Sequence, residues 1–202
     1  EICASGRTDA GVHAWGQVAN FHMDTDLTPG ELMEVMNRYL PEDVAVISCE
    51  EAAPRFHARY NARRKTYRYR VLNSDVPHVF DRKFVYQVKE PLDLPSMALA
   101  AGHLEGTHDF AAFTSARKGK KSTVRTISEI RVERVGEEIR FTYTGDGFLY
   151  HMVRILTGTL LEVGLSKRPP GDIERLLAEK DRQKAGPLVP AQGLMLMEVR
   201  YD

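Results

Sequence analysis

The sequence predicts an α+β protein with a mostly antiparallel sheet. Three observations carry this. Short runs that alternate between apolar and polar residues recur along the chain, as in RKTYRYRVLNS at 64–74. Two further runs, VRTISEIRVERV at 124–135 and EEIRFTYTGDG at 137–147, meet around Gly136 and read as a hairpin. Two clusters of strands and helices meet near residues 52–60.

The elements follow in order. Residues 14–23 read as a strand. LTPGELMEVMNRYLP reads as a helix with Thr28 as N-cap and Pro29 in its first turn. Leu32, Val35, Met36 and Leu40 form its apolar stripe, and Pro41 stops it. VAVISCEEA at 44–52 is a strand, followed by the strand at 64–74 and a short extended FVYQV at 84–88. LPSMALAAGHLEG at 94–106 is a helix. After the hairpin, FLYHMVRILTGTLLEVGL at 148–165 is the longest apolar helix and central to the core. PPGDIERLLAEK at 169–180 is an amphipathic helix opened by prolines, and GLMLMEVRYD at 193–202 closes as a strand. SARKGKKST at 115–123 is the most polar stretch and reads as a mobile loop. The chain does not begin with Met and opens inside an expected strand, EICASG, so a preceding segment is expected.

With 202 residues, 43% hydrophobic and 28% charged, the chain suits one large or two small globular domains. No apolar run approaches the roughly 20 residues of a membrane helix, and no signal peptide is visible. Cys3 and Cys49 make neither a disulfide framework nor a metal-type spacing. The seven histidines include no paired ligand motif, so no metal is expected. A reducing cytoplasm is the expected location.

Net charge is zero, yet its distribution is uneven. Residues 52–74 hold seven Arg or Lys and no acid, and residues 110–128 hold five more and no acid. Such patches are the footprint of phosphate binding, although charge runs are more commonly solvated faces. Phe56, Tyr60, Tyr67 and Tyr69 interleave with the first patch and favour nucleic acid, whose bases stack on aromatic rings.

GRTDAGVHA at 6–14 places Arg7 and Asp9 on a turn whose Gly6 and Gly11 permit a positive φ. An ordinary surface turn would have the same composition, with Asp9 bonding its own backbone. Strand-like flanks on both sides favour a displayed functional group instead. His13 is best read as a bond holding the loop, and Trp15 as packing beneath it. Arg154 stands in a helix that is apolar almost all round. An unpaired arginine is not tolerated there, so a carboxylate must meet it, and Asp9 is the candidate. His151, three residues earlier, reads as a structural hydrogen-bond partner. Asp146, between two glycines, reads as a turn residue.

These segments carry a resemblance. GRTDAGVHAWGQVANF, RKTYRYRV at 64–71, HDFAAFTS at 108–115 and FLYHMVRILTG at 148–158 resemble, in that order, the motifs of the TruA family of tRNA pseudouridine synthases. The departure is at the front, where that family's first strand and helix have no counterpart in the chain. The resemblance implies a fold of two ferredoxin-like, RRM-like α+β subdomains sharing a mostly antiparallel sheet, with a catalytic cleft between them. The first subdomain is expected over 1–55, carrying the Asp loop, and the second over 56–202. It implies conversion of uridine to pseudouridine on the 3′ side of the tRNA anticodon stem-loop, without cofactor, by a homodimer. The family's nucleophile maps onto Asp9, its active-site tyrosine onto Tyr67 and its active-site arginine onto Arg154. Arg7 is implied to hold or replace the flipped base.

The residues fit those roles. Breaking a glycosidic bond develops positive charge at C1′, which a carboxylate stabilises or attacks. Arg154 would fork onto that carboxylate and keep it ionised in a dry site. Tyr67 would cover the uracil and help remove the C5 proton. Two rivals remain: a non-catalytic RNA-binding module, which has no use for a buried Asp9–Arg154 pair, and a glycosidase or nucleosidase, which needs a second acid to activate water. In the tRNA reading, Lys118, Lys120 and Lys121 meet phosphates. Neutralising all three should then lower the salt slope of tRNA binding by up to about three, one per lost contact. Binding titrations across salt concentrations measure it, and an unchanged slope would mark the run as solvated surface.

Overall fold

The computed structural model describes residues 1–116 and 122–202. Lys118, Lys120 and Lys121 lie outside them. The chain divides into two compact units: residues 1–5 with 18–61, and residues 6–17 with 62–202. The loop bearing Asp9 therefore belongs to the larger unit, not to the N-terminal one expected to carry it. The cause is local: within that loop β2 (His13–Ala14) pairs in parallel with β9 (Leu194–Arg200).

In the first unit, β1 (Cys3–Ala4) and β3 (Ala19–Asn20) form a two-stranded antiparallel sheet. The strand expected over 14–23 is thus split between two sheets, its first part lying in the larger unit. Helix α1 (Pro29–Tyr39) starts as the sequence indicates. Thr28 Oγ1 accepts from the Glu31 amide at 3.3 Å, and Glu31 returns the bond to the Thr28 amide at 2.9 Å. None of its residues is buried, so capping and its own backbone bonds define this helix rather than core packing. The strand expected over 44–52 does not form. Val46 instead gives its amide to the Asn37 side chain at 2.7 Å and accepts from the same side chain at 2.9 Å. A side-chain amide from α1 takes the place of a ladder partner.

The larger unit holds a seven-stranded mixed sheet. Its order is β2–β9–β4 (Arg64–Leu72)–β8 (Glu138–Gly145)–β7 (Val124–Val135)–β6 (Gly106–Asp109), and β5 (Tyr86–Gln87) also pairs with β4. The β4–β8, β4–β9, β7–β8 and β6–β7 pairs are antiparallel, so the α+β, mostly antiparallel expectation holds. The hairpin turns at Gly136 as predicted. Strand β6 falls where a helix end was expected, because α2 stops at Gly102 (Leu94–Gly102). Helix α3 covers Met152–Gly164 and α4 covers Asp172–Glu179, both shorter at the start than their sequence patterns.

Burial explains this arrangement. Tyr69, Val71, Ile139, Phe141 and Tyr143 of the sheet are inaccessible to solvent and share one cluster with Ile155, Leu156 and Leu160 of α3 and Met97 of α2. Inside that core the hydroxyls find partners: Tyr143 with Thr157 at 2.8 Å, and Tyr69 donating to the Pro190 carbonyl at 2.7 Å. Burial pushes both phenols above their ordinary range.

The segment 185–190 runs against α3 with almost no space between them. A Cβ on Gly158 would stand 2.0 Å from the Pro187 carbonyl oxygen. Gly186 donates its amide to Thr159 Oγ1 at 2.9 Å. Gly158→Ala must therefore push this segment off the helix. Overpacking of this kind costs about 1–3 kcal/mol, and chemical denaturation of the variant should show a loss of that size.

Candidate active site

The site grows out of one tight turn. Val12 donates its amide to the Asp9 carbonyl at 3.0 Å, and Gly11 sits at φ +83°, a conformation that type II turns reserve for glycine at this position. The residues after the turn are tied to β9. His13 and Ala14 pair with Met195 and Leu196, and the Trp15 amide donates to the Leu196 carbonyl at 2.8 Å. His13 Nε2 meets the Lys83 carbonyl at 2.8 Å, the loop-holding bond expected of it. Trp15 does not pack beneath the loop: it follows β2 and its side chain is 72% exposed.

Arg154 comes from the first turn of α3, and its side chain is 12% exposed. Its Nη1 donates to Asp9 Oδ2 at 2.8 Å, so the carboxylate anticipated from the sequence is the one that meets it. Both residues lie in the larger unit. The expected fork onto the carboxylate is absent. The guanidinium divides its donors, with Nε going to the Val189 carbonyl at 2.8 Å. The reason is the close passage of 185–190 along α3, which brings a main-chain acceptor to the same side chain. Asp9 keeps 23% of its side chain exposed, so the pair is largely but not fully shielded from water.

Two further groups attend the carboxylate. His151 Nε2 lies 3.4 Å from the same Oδ2, and its ring stacks on Tyr150 with centroids 3.7 Å apart. Tyr67 on β4 is partly buried and meets Phe148 edge to face at 5.2 Å. Burial first, and then the negative charge of Asp9, raise the Tyr67 hydroxyl above its ordinary value, so it stays protonated. Tyr69, on the same strand face, is wholly core.

Arg7 is exposed, and among the described residues it makes no ion pair. The first basic run is heterogeneous. Arg55, Arg59, Arg63 and Arg64 are exposed, whereas Arg70 is committed to Glu138 through two hydrogen bonds. Asp146 stands at a bend after β8, but its side chain accepts from the Thr126 amide of β7 at 3.0 Å and not from a local turn as expected. Among the described residues no group of three or more His, Cys, Asp or Glu is placed to hold a metal ion. Sequence reasoning missed the Val189 carbonyl, which has no side-chain signal. It also missed the edge contact of Phe148 on Tyr67, although FLYH was among the quoted motifs.

Fold and cluster together define a class: an α+β enzyme organised around one arginine-held carboxylate with a tyrosine beside it. A family model described as tRNA pseudouridine synthase matches residues 1–61 and 100–202. The chain is 45% identical over 202 residues to tRNA pseudouridine synthase A 2 of Clostridium tetani, covering all of this chain and 82% of that protein. It is 46% identical over 201 residues to tRNA pseudouridine synthase A 1 of Bacillus cereus, covering all of this chain and 81% of the relative. Against tRNA pseudouridine synthase A of Moorella thermoacetica it is 45% identical over 198 residues, or 98% of this chain and 80% of the relative. The chain belongs to the tRNA pseudouridine synthase family, the TruA group.

The divided guanidinium makes a specific prediction. Arg154→Ala takes the cation and its donated bond from the Asp9 carboxylate and the bond to the Val189 carbonyl. A fully buried pair would lose roughly 3–5 kcal/mol, and the partial exposure of Asp9 reduces this to about 2–3 kcal/mol. Arg154→Lys keeps the charge but loses the planar group that spans Asp9 and the Val189 carbonyl in fixed directions, so turnover should fall by more than stability does. Denaturation midpoints and single-turnover rates on the same preparations give the comparison, and an Arg154→Ala variant with both unchanged would refute it.

Proposed function

We propose that this protein isomerises uridine to pseudouridine in the anticodon stem-loop of tRNA, with Asp9 as nucleophile and Tyr67 and Arg154 beside it. The observation that carries the reading is the 2.8 Å contact between Asp9 and an arginine rooted in an otherwise apolar helix. A non-catalytic RNA-binding module has no use for such a pair.

The chemistry follows from one carboxylate. The N1–C1′ bond breaks, the uracil turns, C5 bonds to C1′, the C5 proton leaves and N1 ends protonated. Neither water nor an electron enters the product, so a second acid to activate water is not required. Asp9 meets the positive charge that develops at C1′. Arg154 holds the carboxylate in place, and Oδ1, which no described side chain engages, is the oxygen left to the substrate.

Tyr67 serves chiefly as a platform for the base. Its hydroxyl is protonated, so it does not take the C5 proton as a tyrosinate. It passes that proton on only by handing its own to an acceptor, and Asp9 is the carboxylate whose charge reaches it. Extruding a uridine from a stem-loop costs a few kcal/mol. Exposed Arg55, Arg59, Arg63 and Arg64, together with Lys118, Lys120 and Lys121, offset that cost through phosphates and position the RNA by shape. Arg7, exposed and two residues from Asp9, holds or replaces the flipped base. The reading also includes a homodimer in the cytoplasm, on family resemblance. No helix among the described residues is long and apolar enough to cross a membrane.

The test is Asp9→Asn with unmodified tRNA as substrate. Pseudouridine formation should vanish while tRNA affinity stays within about threefold, because the basic residues and not Asp9 supply binding. An Asn variant that still makes product near the normal rate would remove Asp9 from the chemistry.

A further inference from the structure

His151 is the feature that the proposed reaction leaves unused. It occupies the N-cap of α3 at φ 64° and ψ 2°, a left-handed conformation uncommon for residues with a Cβ, though less so for histidine than for most. Its carbonyl accepts the Ile155 amide at 3.1 Å, and Met152 closes the preceding turn onto Leu149 at 3.0 Å, so the backbone is fixed on both sides. The ring is fixed as well, stacked on Tyr150. Thr114 Oγ1 in turn holds the Tyr150 carbonyl at 3.0 Å. The strained backbone and the stacked ring together deliver Nε2 to within 3.4 Å of Asp9 Oδ2.

The other nitrogen settles the protonation state. Nδ1 is buried and has no hydrogen-bond partner among the described residues. A proton on Nδ1 would be a buried donor with nothing to receive it, and it would turn the Nε2 lone pair towards a carboxylate. A proton on Nε2 faces the side of that carboxylate, 3.4 Å from Oδ2 and short of hydrogen-bond geometry as it stands, and leaves only a weak acceptor in the interior. Adding a second proton is opposed too. Burial lowers the imidazole below its ordinary value, the charges of Arg154 and Arg182 act in the same direction, and Asp9 alone opposes them.

We propose that His151 is a positioning residue for Asp9: a neutral Nε2–H donor that shares Oδ2 with Arg154 and so keeps Oδ1 turned towards the uridine. This rests on the reading of Asp9 as the reacting carboxylate. Neutrality matters to the design. A second cation on the same carboxylate would hold it as firmly but would drain charge from the oxygen that must react. A neutral donor restrains the rotamer and leaves the basicity in place. The 3.4 Å separation is long for a hydrogen bond, as such contacts are before substrate closes the site.

Two substitutions and one spectrum test this. His151→Gln carries an uncharged N–H to about the place of Nε2. His151→Asn suits the left-handed backbone better than any other side chain with a Cβ, but its amide stops short of Asp9. With unmodified tRNA, kcat for His151→Gln should stay within about fivefold of the parent, and His151→Asn should lose roughly 10–100-fold, with KM for tRNA little changed in both. Equal rates for the two variants, or an Asn variant as fast as the parent, would overturn the proposal, because backbone fit alone would then account for the residue. Nitrogen-detected NMR of histidine-labelled parent protein at pH 7 should report the His151 ring as the neutral Nε2–H tautomer. A Nδ1–H tautomer or an imidazolium would overturn it even if neither variant folds. Asp9→Asn separates the layers: if it stays active the reading of Asp9 fails, whereas an inactive Asp9→Asn beside a fully active His151→Asn removes only the role of His151.

Discussion

The guanidinium of Arg154 is the interaction on which the site depends. One nitrogen reaches the carboxylate of a loop near the start of the chain, and another reaches a main-chain carbonyl near its other end. A single planar group thereby joins to α3 two segments that share no hydrogen-bond ladder with it. The arrangement requires that segment 185–190 approach the helix closely enough to present the Val189 carbonyl, and this requires Gly158. Close packing away from the Asp9 carboxylate is therefore a condition of its geometry.

The same segment is held from the sheet side. Tyr69, at the centre of the core, donates to the Pro190 carbonyl, one residue from the carbonyl that Arg154 takes. Two consecutive main-chain acceptors are thus bonded to side chains from opposite layers, β4 and α3. Because both bonds are at least partly buried, displacement of the segment would cost two main-chain acceptors and two side-chain donors their partners at once. That penalty makes the floor of the site rigid without any metal or disulfide in the described residues.

Much of this was legible in advance, for identifiable reasons. The hairpin around Gly136, the capped start of α1 and the apolar face of α3 depend on local periodicity and end chemistry, which a sequence displays directly. That Arg154 needs a carboxylate was legible from its apolar neighbours, whatever the separation along the chain, and the resemblance to the TruA motifs pointed to Asp9. What escaped depends on main-chain groups. No side chain announces that Val189 offers its carbonyl, so the division of the guanidinium could not be read. The segment 44–52 has the composition of a strand, but Asn37 satisfies Val46 first. His151 was recognised as a bonding partner, yet its left-handed backbone follows from the turn at 148–151 and not from its own identity. The membership of the Asp9 loop in the larger unit follows from two residues of parallel pairing, too short a run for any pattern to show.

That short pairing has a consequence for the order of events during synthesis. His13 and Ala14 find their partners in β9, residues 194–200, which leave the ribosome last among the elements of the sheet. Until they emerge, the turn that carries Asp9 has no strand to anchor it, and the Val189 carbonyl is not there to take half of Arg154. The nascent chain can therefore expose its basic residues to RNA long before it owns an aligned carboxylate. Alignment of Asp9 with Arg154 therefore waits on the joining of segments more than 180 residues apart, a long-range closure that slows folding more than it costs stability.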